Sequence, residues 1–325
     1  MSKSQIPLAT SSWDNAEYVA MQRVIDSGNF TMGKEVGNFE DAFSNKIGSK
    51  YSVMVNSGSS ANLLLIASLF YRKNNKLKPG DEVIVPAVSW STTYFPLSQY
   101  NLKIKYVDID LDTLNFDINK LSEAITERTR LIFTVNLLGN PNDFDEIYNM
   151  IKGRNIILIE DNCESLGAKY NGRNAGTFGL ASTFSTFFSH HISTMEGGVI
   201  CTDDEEIYQI LLSLRSHGWT RNLPKKNFIS GMKSDDNFEE SFKFILPGYN
   251  LRPLEFSGAI GIEQLNKLSM IIQNRRKNAQ VFQSIMSEKT DFIIQKEIGD
   301  SSWFGFSIII KNESKKTRKM LRDKL

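Results

Sequence analysis

Five short β-rich runs, Tyr51–Val55, Glu82–Val85, Ile104–Val107, Leu131–Thr134 and Ile156–Ile159, alternate along the chain with helical stretches such as Ser60–Tyr71 and Asn142–Ile151. Runs of this length with β-branched content read as strands, and their rhythm with helices predicts an α/β fold built on a mostly parallel sheet. Strands apolar on both faces need helices above and below. Ligands of such sheets collect at the carboxyl ends of the strands, so the polar residues just after each run are the first candidates for a site.

At 325 residues and 41% hydrophobic content, the chain can bury one large core and a smaller second one. A helical pattern after Pro253 continues to about Lys277 and is followed by an apolar run, Trp303–Ile310, read as a strand. The expected division is a large domain over 1–252 and the start of a small C-terminal α/β domain over 253–325, cut short at Leu325. The polar stretch from Asn222 to Lys243 reads as an exposed excursion. Lysine plus arginine, 38, nearly balances aspartate plus glutamate, 37, so no basic field for nucleic acid is present and the expected partner is a small molecule. Cys163 and Cys201 are the only cysteines, too few for a disulfide framework, a Cys-rich zinc site or a four-thiolate iron–sulfur cluster. Met1–Ser12 lacks the pattern of a signal peptide, and the apolar run Leu63–Phe70 is too short to span a membrane. A cytoplasmic protein without a membrane partner is expected.

Four places carry chemistry. The segment Asn56-Ser57-Gly58-Ser59-Ser60-Ala61-Asn62 follows a strand and opens a helix, where free amides suit either a phosphate or an ordinary N-cap. Asp161 ends a strand and reads either as a helix cap or as a carboxylate awaiting a cation, such as a protonated pyridine nitrogen. Trp90 follows the strand Glu82–Val85 and either stacks on a flat ring or fills core. The stretch from Ser185 to Gly198 is a strand entering a polar turn with adjacent histidines, His190 and His191. A metal site is disfavoured there, since His217 is the one further histidine and no carboxylate shares helical spacing with the pair. A structural histidine and a general base remain as readings of His190.

Taken in order, Ser57-Gly58-Ser59, Trp90, Ile159-Glu160-Asp161, Ser185 and Glu196-Gly197-Gly198 resemble the DegT/DnrJ/EryC1/StrS family of sugar aminotransferases, over about residues 6–310. These enzymes depend on pyridoxal 5′-phosphate (PLP) and have the type I fold of PLP-dependent transferases. The resemblance implies that Asp161 pairs with the pyridine nitrogen, Trp90 stacks on the ring and Glu164 lies beside the 3-hydroxyl. It also implies that Gly58, Ser59 and Ser185 hold the phosphate, and that His217 lines the sugar pocket. Asn250, in Pro247-Gly248-Tyr249-Asn250-Leu251-Arg252-Pro253, matches the segment that reaches the phosphate of the neighbouring subunit, which implies a homodimer with shared active sites.

Members of the family usually carry Ser-Lys-Asn or Thr-Lys-Asn where this chain has Ser189-His190-His191. An imidazole cannot form the covalent link that the lysine makes to the cofactor. The substitution is similar to that of the family's dehydratase branch. That branch implies PLP, cycling through its pyridoxamine form, L-glutamate as amino donor, and loss of the C3 hydroxyl from a GDP- or CDP-linked 4-keto-6-deoxyhexose. With two cysteines in all, no iron–sulfur reductase partner is expected. His190 is then the catalytic proton carrier, and the product feeds 3,6-dideoxy sugars of lipopolysaccharide O-antigen. The alternatives are a nucleotide-sugar 4-aminotransferase that tolerates histidine and a non-catalytic protein of the same fold.

Overall fold

Residues 10–311 and 315–324 are described in a computed structural model. Helices α1 (Asn15–Ser27) and α2 (Lys34–Ile47) precede strand β1 (Tyr51–Val55) and helix α3 (Gly58–Leu69). Strands and helices then alternate: β2 (Glu82–Pro86), α4 (Ser91–Gln99), β3 (Lys103–Val107), α5 (Ile118–Ala124), β4 (Thr129–Val135), α6 (Phe144–Ile151) and β5 (Ile157–Asp161). A hairpin of β6 (Lys169–Tyr170) and β7 (Arg173–Asn174) leads to β8 (Ala181–Ser185), β9 (Gly198–Thr202) and α7 (Glu205–Arg215).

Seven strands form one sheet in the order β1-β9-β8-β5-β4-β2-β3. The pairs from β8 through β3 are parallel, whereas β9 runs antiparallel to both β8 and β1. The expected mostly parallel α/β sheet is therefore present. Each strand sends alternate side chains to opposite cores. Val53 and Val55 enter one cluster and Met54 another; Val83 and Val85 join the first and Ile84 a third; Ile157 and Ile159 face the first and Leu158 the third. Two buried faces explain why central runs such as Ile157-Leu158-Ile159 are apolar without alternation, whereas the edge strand β3 carries Lys103 and Lys105.

The excursion after Asn222 holds a small hairpin, β10 (Lys226–Asn227) with β11 (Gly231–Met232), and the short helix α8 (Asn237–Ser241). Glu240 ties it down by accepting from the Thr220 hydroxyl at 2.7 Å and the Ser234 amide at 2.8 Å.

Helix α9 (Glu255–Met286) runs past the expected end at Lys277. Its first turns lie so close to α2 that a Cβ on Gly258 would sit 2.5 Å from the Val36 nitrogen. Glu255 also caps α2, whose own N-cap is Gly33: its carboxylate accepts from the amides of Gly33 and Glu35, each at 2.6 Å. The strand expected over Trp303–Ile310 forms only at Ile309–Ile310, as β13 against β12 (Phe292–Ile293). Trp303 instead adopts φ 49°, and the amides of Ser302 and Phe304 donate to the carbonyls of Gly139 and Leu138. That interaction with the loop after β4 replaces a strand ladder. Helix α10 (Lys315–Arg322) ends the described chain. No helix among the described residues is long and apolar enough to cross a membrane.

Candidate active site

The carboxyl ends of β1, β8 and β5 converge because Gly198, the first residue of the reversed β9, pairs with both Val55 and Ser185. Beyond Val55, the Ser57 hydroxyl caps α3 by accepting from the Ser60 amide at 3.1 Å. The capping reading is thus realised at Ser57, and the amides of Gly58 and Ser59 lie in the first turn, where no intrahelical acceptor is available. Gly58 is buried so tightly that a Cβ there would lie 2.6 Å from Cβ of Ser185 and 3.1 Å from Sγ of Cys163. Ser59 is exposed and Ser185 buried. Together they form a cradle of small residues with free amides and hydroxyls, a donor set suited to a phosphate.

Asp161 is buried at the mouth of β5. Its Oδ2 accepts from Nδ2 of Asn62 at 2.9 Å and from the Thr93 hydroxyl at 2.8 Å, and its Oδ1 accepts from the Cys163 amide at 3.0 Å. Thr183 donates to Oδ1 of Asn62 at 2.6 Å and thereby fixes that amide's orientation. All three donors to Asp161 are neutral, and the ion pairs among the described residues do not include it. A buried carboxylate held by dipoles alone is a site for a cation. Glu160 points into the other side of the sheet, where the amides of Gly176, Phe178 and Gly179 donate to it, and burial pushes its carboxyl up.

Glu164 accepts from the Leu138 amide at 2.9 Å, and burial, with the Asp161 charge adding to it, pushes its carboxyl above the usual range. Trp90 is 72% exposed at the start of α4, so the core-filling reading does not hold and its face is free for a flat ligand.

The turn from Thr186 to Gly197 is closed by the Thr186 amide to the Gly197 carbonyl, the Thr194 amide to the Thr186 carbonyl, and the paired hydroxyls of Thr186 and Thr194. Ser193 is clamped from outside: its amide donates to Gln264 on α9, and its carbonyl accepts from the Trp13 indole. Within this turn His190 is half-buried, with its buried Nδ1 lacking any hydrogen-bond partner. Burial brings its pKa down to about 4, against the opposing pull of Asp161. His191 is fully buried, touches the Ser302 carbonyl through Nε2 at 3.1 Å, and is pushed down to about 3, again by burial first. His190 is therefore a neutral base at physiological pH. Among the described residues no His/Cys/Asp/Glu group could hold a metal ion.

Asn250 and His217 lie elsewhere. They share a strip in which Ser216 bridges Asn250 and the His217 amide donates to the Tyr249 carbonyl at 2.6 Å. Asn250 is exposed and lines a cavity of about 320 Å³ with Ser216, Arg221 and Arg252. The ring of His217 packs edge-on against Trp219. Their hydrogen bonds and ring contacts do not reach Asp161, Ser185 or His190. The strip nonetheless abuts the phosphate cradle, since the Asn56 amide donates to the Leu251 carbonyl.

Sequence reasoning missed Asn62, Thr93 and Thr183. A signal for the first two was present: both are polar residues in the opening turns of helices that follow β1 and β2, facing the same sheet edge. Phe304, whose ring centroid lies 5.0 Å from that of His190, gave no such signal.

A protein with this sheet, this cradle and this buried carboxylate is a PLP-dependent enzyme of the aminotransferase-type fold, and the chain belongs to the DegT/DnrJ/EryC1/StrS aminotransferase family, which matches residues 12–325. More particularly, it is 64% identical over 319 residues to a GDP-4-keto-6-deoxy-D-mannose 3-dehydratase of Escherichia coli, covering 98% of this chain and 82% of the relative. It is 62% identical to the enzyme of the same name from Yersinia pseudotuberculosis, covering 98% and 81%. An E. coli GDP-4-keto-6-deoxy-D-mannose-3-dehydratase solved with bound hydrated PLP superposes with a TM-score of 0.96 at 63% identity, covering 98% of this chain and 82% of that one. A GDP-4-keto-6-deoxymannose-3-dehydratase with a trapped PLP–glutamate geminal diamine gives the same TM-score and identity, covering 98% and 83%.

Proposed function

We propose that this chain is a PLP-dependent 3-dehydratase that removes the C3 hydroxyl from GDP-4-keto-6-deoxymannose, with L-glutamate as amino donor, on a route to 3,6-dideoxy sugars of O-antigen. The observation that carries this reading is His190, standing in the turn between β8 and β9 where a lysine would link to the cofactor. The likeness to named dehydratases, one of them trapped with PLP and glutamate, supports the substrate and the donor.

The cradle, the uncompensated carboxylate and the exposed indole fit PLP. The amides of Gly58 and Ser59 and the hydroxyl of Ser185 would hold its phosphate, Asp161 would pair with the ring nitrogen, Trp90 would stack on the ring, and Glu164 would meet the 3-hydroxyl. When bound, PLP supplies a protonated ring that accepts electron density from an adjacent carbon. Asp161, its orientation fixed by Asn62 and Thr93, would keep the ring-nitrogen proton in place. His190, neutral at physiological pH, takes a proton onto its imidazole and returns it to the departing C3 hydroxyl of the sugar. A lysine there would compete by bonding to the cofactor; an imidazole moves protons without that competing link. Over a full turnover glutamate is oxidised by two electrons to 2-oxoglutarate, the sugar's C3 is reduced by two, and the nitrogen leaves as ammonia.

Asn250, exposed on the strip beside the cradle, serves the phosphate of a neighbouring subunit in a homodimer, and His217 lines the sugar pocket. The chain divides near residue 253 into the cofactor-binding domain and a smaller C-terminal one. Both cysteines are free thiols, in keeping with a reducing cytoplasm.

The test is incubation with PLP, glutamate and GDP-4-keto-6-deoxymannose, following ammonia and the mass of the sugar product. Ammonia with a nitrogen-free dideoxy sugar is expected. An amino sugar would assign the chain to the aminotransferases instead.

A further inference from the structure

The groups that orient His190 are not hydrogen bonds at its buried nitrogen, because Nδ1 has no partner. A catalytic histidine is usually held in place by a carboxylate or carbonyl on the ring nitrogen away from the substrate. Here the imidazole is held by other rings. Phe304 lies tilted at 49° with centroids 5.0 Å apart, and Phe187 stands edge-on at 6.0 Å. The same Phe304 ring lies 5.7 Å from His191.

Phe304 is itself fixed from three directions. Its amide donates to the Leu138 carbonyl at 2.9 Å, and Leu138, at φ 54°, in turn donates its amide to Glu164. Nη1 of Arg275 on α9 donates to the carbonyls of Trp303, at 3.1 Å, and Phe304, at 3.0 Å. Gly139 allows the approach: a Cβ there would lie 2.6 Å from the Trp303 nitrogen and 3.0 Å from that of Phe304.

We propose that Phe304 is the positioning residue of His190, setting the ring's orientation and keeping water from its Nδ1 side, and that Arg275 anchors Phe304 in that place. The proposal rests on the reading of His190 as the proton carrier. The charged groups that face the imidazole are Asp161 at the mouth of β5, which favours its protonation, and Arg275 on α9, which opposes it; His191 is the titratable neighbour in the same turn. The apolar wall holds the His190 pKa below the ordinary histidine value, against the pull of Asp161, for as long as it stays in place.

The chain holds three histidines, so side-chain NMR of the full chain follows each one, with His190→Asn and His191→Asn assigning the signals. In the parent chain His190 is expected to titrate near 4. Phe304→Ala should raise that midpoint by about one unit or more toward the ordinary histidine value, and Phe304→Tyr should restore it. With PLP, glutamate and sugar present, kcat of Phe304→Ala should fall about tenfold or more with little change in KM. Should Phe304→Ala fail to fold, Arg275→Lys, which keeps the charge but loses the paired contacts to the Trp303 and Phe304 carbonyls, should raise the same midpoint. A His190 midpoint unchanged in the folded variant would overturn the proposal. Absence of dehydration by the parent chain would count against the proposed function instead, and the titration would still decide this point.

Discussion

Gly198→Ala tests the geometry of the cradle directly. A Cβ at this position would lie 2.2 Å from the Ser57 carbonyl oxygen, 2.4 Å from its carbon and 2.7 Å from the Gly58 nitrogen. These are backbone atoms, so no side chain can rotate away, and relief requires the phosphate loop and β9 to part by about 1 Å to restore ordinary contact. Gly198 pairs with Val55 on one side and Ser185 on the other, so the strain enters the sheet where its two phosphate-binding edges meet. Overpacking of this kind costs about 3 kcal/mol. In a chain of this size that lowers the melting temperature by about 5 °C. Moving the amides of Gly58 and Ser59 by about 1 Å should also weaken PLP binding by about tenfold to a hundredfold, the worth of a charge-assisted hydrogen bond. Thermal melts and PLP titration by absorbance read the two effects separately. Gly37→Ala, where an added Cβ meets nothing within 4 Å, is the control and should not be destabilised. A Gly198→Ala chain that melts with the parent and binds PLP equally well would refute the argument.

Trp90→Ala should change stability by no more than about 0.5 kcal/mol, since the side chain is mostly in solvent, yet weaken PLP about tenfold by removing a stacking face; paired melts and cofactor titrations check this. Glu160→Gln keeps one acceptor oxygen and turns an NH2 donor toward either the Gly176 N–H or those of Phe178 and Gly179, and should cost about 2–3 kcal/mol in denaturant unfolding with Asp161 left in place. Acid should destabilise the chain in a defined window. His190 and His191 fold with pKa values of about 4 and about 3, so the folded chain binds fewer protons than the unfolded one, whose histidines titrate near 6.5. Stability is therefore fully present above about pH 6.5 and falls as pH drops toward 4 and then 3. Urea melts of His191→Asn, which removes one of the two groups, should show a shallower loss across that window; an identical slope would contradict the assignment.

The sheet was legible because each strand faces two cores, which leaves short uninterrupted apolar runs such as Ile157-Leu158-Ile159. Asp161, Gly58 and Ser185 could be grouped from sequence since each lies at, or within three residues of, the end of a strand, and parallel packing brings carboxyl ends together. Less was readable where function depends on rotation about a helix or on contacts distant in sequence. The clamp of Asn62 and Thr93 on Asp161 needs α3 and α4 set at particular angles to the sheet. Trp303–Ile310 is apolar enough to read as a strand, but the ties of Ser302 and Phe304 to the loop at Leu138 and Gly139 take its first residues elsewhere. The end of α9 was placed early because nothing marks it, with neither glycine nor proline between Ile262 and Met286. The replacement of lysine by histidine was visible in three letters, while the ring that orients the histidine lies 114 residues further along the chain, at Phe304.

The fate of the amino nitrogen tests the central claim most directly. With ¹⁵N-glutamate, PLP and GDP-4-keto-6-deoxymannose, the dehydratase account predicts one labelled ammonia for each 2-oxoglutarate formed and each sugar deoxygenated, with no label on the sugar. Label retained at C4 of a sugar that keeps its C3 hydroxyl would contradict it.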